Sequence, residues 1–223
     1  MGFCALYEAL GEEAFSLREQ LLPALSDTEA RVIARQIERR LNTPLTSSLG
    51  RVFDAVSALL GGSPLATYEG QAAVELEMLA GSPPCVGSQI SDLRLQREGR
   101  EEARPYHYDI IEQDEARAVD LMPAVREIVA DLRAGRAKEL IALRFHSTVV
   151  AFCLEICRLL RREGAPAEVV LSGGVFQNVL LSEWLLEALE REGFRPYPHR
   201  RVPPNDGGLS LGQAVVAARR VLG

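Results

Sequence analysis

The stretch Glu168-Val169-Val170-Leu171-Ser172-Gly173-Gly174-Val175-Phe176-Gln177-Asn178 decides how this chain folds. A short aliphatic, β-branched run goes straight into two glycines, the pattern of a buried strand ending in a tight turn. A helix from Asn178 to Glu192 follows, with Trp184, Leu185 and Leu189 spaced to face inward and Gly193 to close it. Phe194 to His199 reads as a second strand, and the loop from Arg201 to Gly208 leads to a closing helix, Leu209 to Leu222. Strand, glycine turn, helix and return strand imply a parallel or mixed sheet with flanking helices. The fold class is therefore α/β.

Toward the N-terminus, Ala118–Leu132 and Ala137–Arg162 read as two helices separated around Gly135, and Tyr106–Ile111 as a strand. Residues 81–104 hold Gly-Ser-Pro-Pro and a charged run from Arg97 to Arg104. They are expected to form a loop or weak hairpin, and to mark a boundary between a mainly helical subdomain (1–90) and an α/β lobe (91–223). Within the first part, Ser26-Asp27-Thr28-Glu29 has the residues of a capping box, with Val32, Ile33, Ile37 and Leu41 at helical spacing behind it. Asn42-Thr43-Pro44 stops that helix. Two more are expected over Ser48–Leu60 and Gln71–Leu79.

The chain has 223 residues, with Lys+Arg 25 against Asp+Glu 31, hence a formal net charge of −6. Hydrophobic residues make up 47%, enough for a full core. The acidic balance argues against a nucleic-acid footprint, which needs a basic face. The most apolar stretch, Val149–Cys157, is short and carries Glu155, so no membrane association is expected. The start lacks the basic segment of a secretory signal, and the cytoplasm is the expected compartment. Cys153 and Cys157 share a helix face, but no CxxC or nearby histidine completes a metal site. Free thiols in a reducing compartment are the simpler reading for all four cysteines.

Four places could carry chemistry. At Ser172-Gly173-Gly174 the missing Cβ atoms let backbone approach a base or phosphate, and the following helix start offers free N–H groups; the same glycines equally suit a mere tight turn. Asn178 either contacts a ligand or caps its helix. In Val202-Pro203-Pro204-Asn205-Asp206-Gly207-Gly208, Asp206 either ligates a metal or caps the last helix. Asp54, among apolar neighbours, calls for a partner: a ribose hydroxyl pair or the nearby Arg51. His107, His146 and His199 stand alone, without the spacing of a metal pair.

Four ordered motifs go further: TSSLGRVFDAVSALLG (46–61), YEGQAAVELE (68–77), LSGGVFQN (171–178) and VPPNDGGLSLGQA (202–214). Together they closely resemble the C-terminal carbamoyltransferase domain of the HypF family, which matures [NiFe]-hydrogenases. The resemblance implies a protein that makes carbamoyl-adenylate from carbamoyl phosphate and ATP. The carbamoyl group then passes to the C-terminal cysteine of HypE, as precursor of the cyanide ligands on iron. It also implies an RNase H-like lobe of the actin/Hsp70/sugar-kinase superfamily, with a helical insertion ahead of it. By the same resemblance Asp54, Gly70, Gln71 and Glu75 match nucleotide-contacting positions. Gly173, Gly174 and Asn178 match the adenosine-binding turn, and Asp206 a metal-ligand aspartate. The family's metal site also needs two histidines four apart, and no HxxxH occurs in this sequence. A divalent metal (zinc or iron) is thus expected only in the complete domain, with the rest of HypF as partner. The chain is expected to be the C-terminal portion of such a protein, cut from it or encoded by a split gene, and inactive when isolated. Two other readings stand beside it: a non-catalytic nucleotide-binding or partner-docking lobe, and a TsaD-type threonylcarbamoyl transferase acting on tRNA. The pI of about 5.3 counts against the latter.

Overall fold

The computed structural model of the protein describes residues 1–81, 103–113 and 116–222. The chain divides into two compact units, Met1–Phe152 and Cys153–Gly223. The boundary expected at 90/91 falls outside the described residues, as do Cys85 and most of the expected loop or hairpin over 81–104.

The first unit begins with five helices: α1 (Gly2–Leu10), α2 (Glu13–Leu21), α3 (Asp27–Arg39), α4 (Leu49–Leu59) and α5 (Gln71–Leu79). The expected capping box is formed: Ser26 Oγ accepts from Glu29 N–H at 3.2 Å, and a Glu29 carboxylate oxygen accepts from Ser26 N–H at 2.9 Å. Two donors left orphaned by the first helical turn are thereby satisfied, which fixes where α3 starts. Phe3 and Leu6 of α1, Leu17 of α2, Ala30 of α3 and Leu59 of α4 meet in one apolar cluster.

An antiparallel hairpin follows, β1 (Asp109–Gln113) paired with β2 (Ala116–Asp120), with Asp109 opposite Asp120. Then come α6 (Met122–Arg133) and α7 (Lys138–Arg162). Two expectations are corrected here. Ala118–Asp120 is strand rather than helix, and α6 starts only beside Pro123, whose fixed φ suits a first helical turn. Tyr106–Tyr108 precedes the strand because side chains, not a ladder, hold it. Tyr106 N–H donates to Thr148 Oγ1 (2.8 Å) and its hydroxyl to Asp131 (2.9 Å). Arg144 stacks 3.9 Å above the Tyr106 ring and pairs with Asp131, which Arg136 also meets at 2.7 Å.

By length and composition α7 could cross a membrane: it has 25 residues and an 18-residue window of mean hydropathy 1.7. Arg144, Ser147 and Glu155 interrupt its apolar residues, so the helix holds no unbroken apolar run of membrane length. Its buried residues, among them Ile141, Phe145, Val149 and Phe152, all lie in the part of the helix before Cys153, and 39% of that window is buried.

The second unit takes the end of α7 and continues with β3 (Glu168–Val170), a 3₁₀ turn (Gly174–Gln177), α8 (Val179–Arg191), β4 (Arg195–Tyr197), a second 3₁₀ turn (Asp206–Gly208) and α9 (Leu209–Leu222). β3 and β4 run parallel, Glu168 beside Arg195 and Val170 beside Tyr197. A parallel pair needs a crossover, and α8 is that crossover; its Leu181, Trp184, Leu185 and Leu189 are buried. Arg158 ion-pairs with Glu192 just beyond α8, and Arg161 stacks on Phe194 just before β4. α9 differs: Leu209, Leu211, Val215, Val216 and Val221 are each more than half exposed.

Candidate functional site

The candidate residues fall in both units, and each group is described by itself. In the first unit, Asp54 lies on α4 with its carboxylate 3.2 Å from Arg51 Nη1. Of its two suggested partners, the structure therefore supplies the arginine. Gly70 stands immediately before α5. Gln71 Oε1 accepts from Thr67 N–H (2.7 Å) and Thr67 Oγ1 (3.1 Å), while its amide nitrogen donates to Glu75 (2.8 Å). Glu75 also accepts from Ser63 N–H (2.8 Å) and Ser63 Oγ (2.7 Å). These donors, the Ser63 N–H foremost, hold the Glu75 carboxyl below the usual carboxylate range, because each favours the charged form. Gln71 and Glu75 thus staple the 61–70 loop to α5. The cavity beside Glu75, over Leu76 and Leu79, is about 180 Å³, smaller than typical ligand pockets.

In the second unit the chemistry gathers where β3 and β4 end. Ligands of open α/β sheets bind there, outside the carboxyl ends of the strands. Leu171 N–H donates to Tyr197 C=O at 3.2 Å, and the chain then turns through Gly173 at φ 110°, ψ 153°, a conformation essentially reserved for glycine. The Gly173 N–H donates to Pro204 C=O at 2.7 Å, joining this turn to the 203–208 turn. Asn178 is nearly buried and caps α8, its Oδ1 accepting from Leu181 N–H at 2.8 Å. At the second turn the cap is Asn205, not Asp206: Asn205 Oδ1 accepts from Gly207 N–H at 3.0 Å. A Cβ on Gly208 would lie 2.9 Å from Pro203 C=O, so that turn closes only with glycine. Freed of capping, Asp206 is exposed on the wall of a cavity of about 830 Å³. Ser172, Gly173, His199 and Asn205 share that wall, and α9 forms another. Its volume suits a nucleotide.

Sequence reasoning set His199 aside as a lone strand histidine. It stands beyond β4, as Ser172 stands beyond β3, with His199 Nε2 3.2 Å from Ser172 Oγ. The available signal was their matching place after the two strands. His146, by contrast, belongs to the core: its ring meets Phe53 edge-on at 5.4 Å, Nδ1 lies 2.8 Å from Ala142 C=O, and burial pushes its pKa down to about 4.

Asp206 alone does not make a metal centre. Among the described residues no three His, Cys, Asp or Glu side chains cluster to hold an ion, and single carboxylates bind divalent metals poorly. No step is therefore routed through a metal.

Residues 1–213 match the family model described as the carbamoyltransferase, Kae1-like domain, second subdomain, and the chain belongs to that family. It is similar to the probable carbamoyltransferase HypF of Methanocaldococcus jannaschii, 31% identical over 210 residues that make up 94% of this chain and 24% of the relative. The carbamoyltransferase HypF of Rhodobacter capsulatus is 35% identical over 214 residues, 92% of this chain and 24% of the relative. The chain thus spans about a quarter of the length of these relatives. Among solved structures, full-length HypF in the phosphate- and nucleotide-bound form superposes with a TM-score of 0.80 at 35% identity, covering 99% of this chain and 27% of that one. HypF of T. kodakarensis gives 0.69 at 22% identity, covering 98% and 26%, and speaks for the fold alone.

Proposed function

We propose that this second subdomain supplies the nucleotide-holding wall of a carbamoyltransferase that acts in hydrogenase maturation. In the whole protein, the carbamoyl group of carbamoyl-adenylate is transferred to the C-terminal cysteine of a HypE-type acceptor in the cytoplasm. The acceptor thiolate attacks the carbamoyl carbon, the bond from that carbon to the phosphate oxygen breaks, and AMP leaves with the electron pair. The cavity at the ends of β3 and β4 carries this reading, because glycine-only backbone at Gly173 and an exposed carboxylate at Asp206 open onto one nucleotide-sized space. Gly173 lets the backbone approach the adenosine, and the Asn178 side chain holds the turn beside it. Asp206 would offer one oxygen to a divalent metal only in a protein that supplied its other ligands. Asp54, Gly70, Gln71 and Glu75, which match nucleotide-contacting positions by resemblance, are assigned a nucleotide-binding role in the whole protein.

The attacking thiolate comes from the acceptor. Burial, with Cys157 beside it, pushes the Cys153 thiol up to about 12, and burial raises Cys157 as well. Neither is a ready nucleophile at neutral pH.

Calorimetric titration of the chain with AMP or with ATP and magnesium tests the reading. Saturable binding is expected, weakened about tenfold by Asn178→Ala, which removes the side chain that caps the helix and holds the turn. Absence of binding to the unmodified chain would refute the nucleotide-wall reading. Binding without carbamoyl transfer to the acceptor, once the rest of the protein is restored, would favour a non-catalytic lobe.

A further inference from the structure

We propose that the recess lined by His199, Arg200 and Arg201 is an anion subsite, which takes the phosphate end of an adenine nucleotide whose nucleoside lies in the larger cavity. The assignment rests on the nucleotide reading above and deepens it.

Geometry comes first. The chain leaving β4 curves around a recess of about 590 Å³ lined by residues 196–202, and His199 lines both this recess and the larger cavity. One side chain thus stands where the two spaces meet, with Ser172 Oγ 3.2 Å from its Nε2. A ligand reaching from one space to the other passes both groups, and whichever of the pair accepts from the other keeps a donor free for an anionic oxygen. Pro198 precedes the segment and Pro203-Pro204 follow it, so the backbone presenting these donors has little freedom to lose on binding.

Charge points the same way. The chain carries a net −6, yet the charged groups around these two spaces are Arg200, Arg201 and Arg220 against the single carboxylate of Asp206. Elsewhere in the unit Arg158, Arg191 and Arg195 each ion-pair with a glutamate. Among the described residues, no ion pair engages Arg200, Arg201 or Arg220. Adjacent guanidinium groups raise a local positive potential that an anion relieves, and their forked donors match phosphate oxygens in geometry.

The test compares three probes, adenosine, AMP and ATP, titrated into the unmodified chain, the double variant Arg200→Ser/Arg201→Ser and His199→Gln. The unmodified chain is expected to bind AMP and ATP more tightly than adenosine, by a margin that shrinks as salt is raised. The double variant is expected to lose about tenfold in affinity for AMP and ATP while adenosine is unaffected. His199→Gln should lose less, in the same direction. An equal loss for adenosine, or no loss for AMP, overturns the subsite and leaves the nucleotide reading standing. Failure of the unmodified chain to bind any of the three probes overturns both.

Discussion

The two glycines of the Ser172-Gly173-Gly174 turn look alike in sequence, but alanine should affect them oppositely. Gly173 sits at φ 110°, ψ 153°, and a Cβ there would meet nothing within 4 Å. The cost of Gly173→Ala is therefore backbone strain alone, about 1–3 kcal/mol for a residue forced into that region. Stiffening the unfolded chain returns roughly 0.4–1 kcal/mol, leaving a net loss of about 1–2 kcal/mol. Gly174 has no positive φ, and a Cβ there would lie 3.9 Å from both Asn205 Cβ and Gln177 Oε1, ordinary contact distances. Gly174→Ala should thus be neutral or stabilise by roughly 0.4–1 kcal/mol. Urea unfolding followed by the fluorescence of Trp184, the single tryptophan and a buried residue of α8, reports on this unit. The midpoints of the two variants should fall on opposite sides of, or be clearly ordered around, that of the unmodified chain. Equal losses, or a larger loss for Gly174→Ala, would refute the claim that φ at Gly173 is what the turn requires.

Two further outcomes follow from the first unit. Folding holds His146 neutral with its pKa near 4, while the unfolded chain protonates it near 6.5. As pH falls through 6.5 the unfolded state takes the proton first, so stability is lost between pH 6.5 and 4. The loss between pH 8 and pH 5 is about 2 kcal/mol. Denaturant midpoints at the two pH values measure it; an equally steep loss in His146→Gln would remove the histidine as its source. At the Tyr106–Asp131–Arg144 cluster, Tyr106→Phe removes one hydrogen bond and should cost about 1 kcal/mol. Arg144→Met strips a nearly buried carboxylate of an ion pair and should cost about 3 kcal/mol. Thermal or urea unfolding that ranks the two the other way would sink this account of the cluster.

Local signals in the sequence were the trustworthy ones. The strand–glycine–helix run at 168–192, the capping box at Ser26–Glu29 and the span of α5 all depend on residues within a few positions of one another. Misreadings arose where distant residues decide. Ala118–Asp120 pairs with Asp109–Ile111 across a hairpin, a constraint that helical periodicity over 118–132 hides. Tyr106 takes its place from Thr148 and Asp131, far along the chain. For the candidate site, glycine turns were legible as turns. The division of labour between neighbours, Asn205 capping while Asp206 stays exposed, depends on a backbone path that residue types do not specify. Gln71 and Glu75 match nucleotide-contacting positions through the resemblance alone, and in this structure they meet Thr67 and Ser63 in the preceding loop.

α9 bears on how this molecule behaves in a tube. A helix whose Leu209, Leu211, Val215, Val216 and Val221 all meet solvent is a sticky rod, and a net charge of −6 offers only modest mutual repulsion between copies. The same helix walls the larger cavity. Copies that associate through α9 would therefore crowd the space a nucleotide is meant to enter, and crowding would grow with protein concentration and with salting-out additives. Sedimentation at several concentrations belongs before any titration, because the apparent affinity for a nucleotide is otherwise in part a measure of how far the protein has already bound itself.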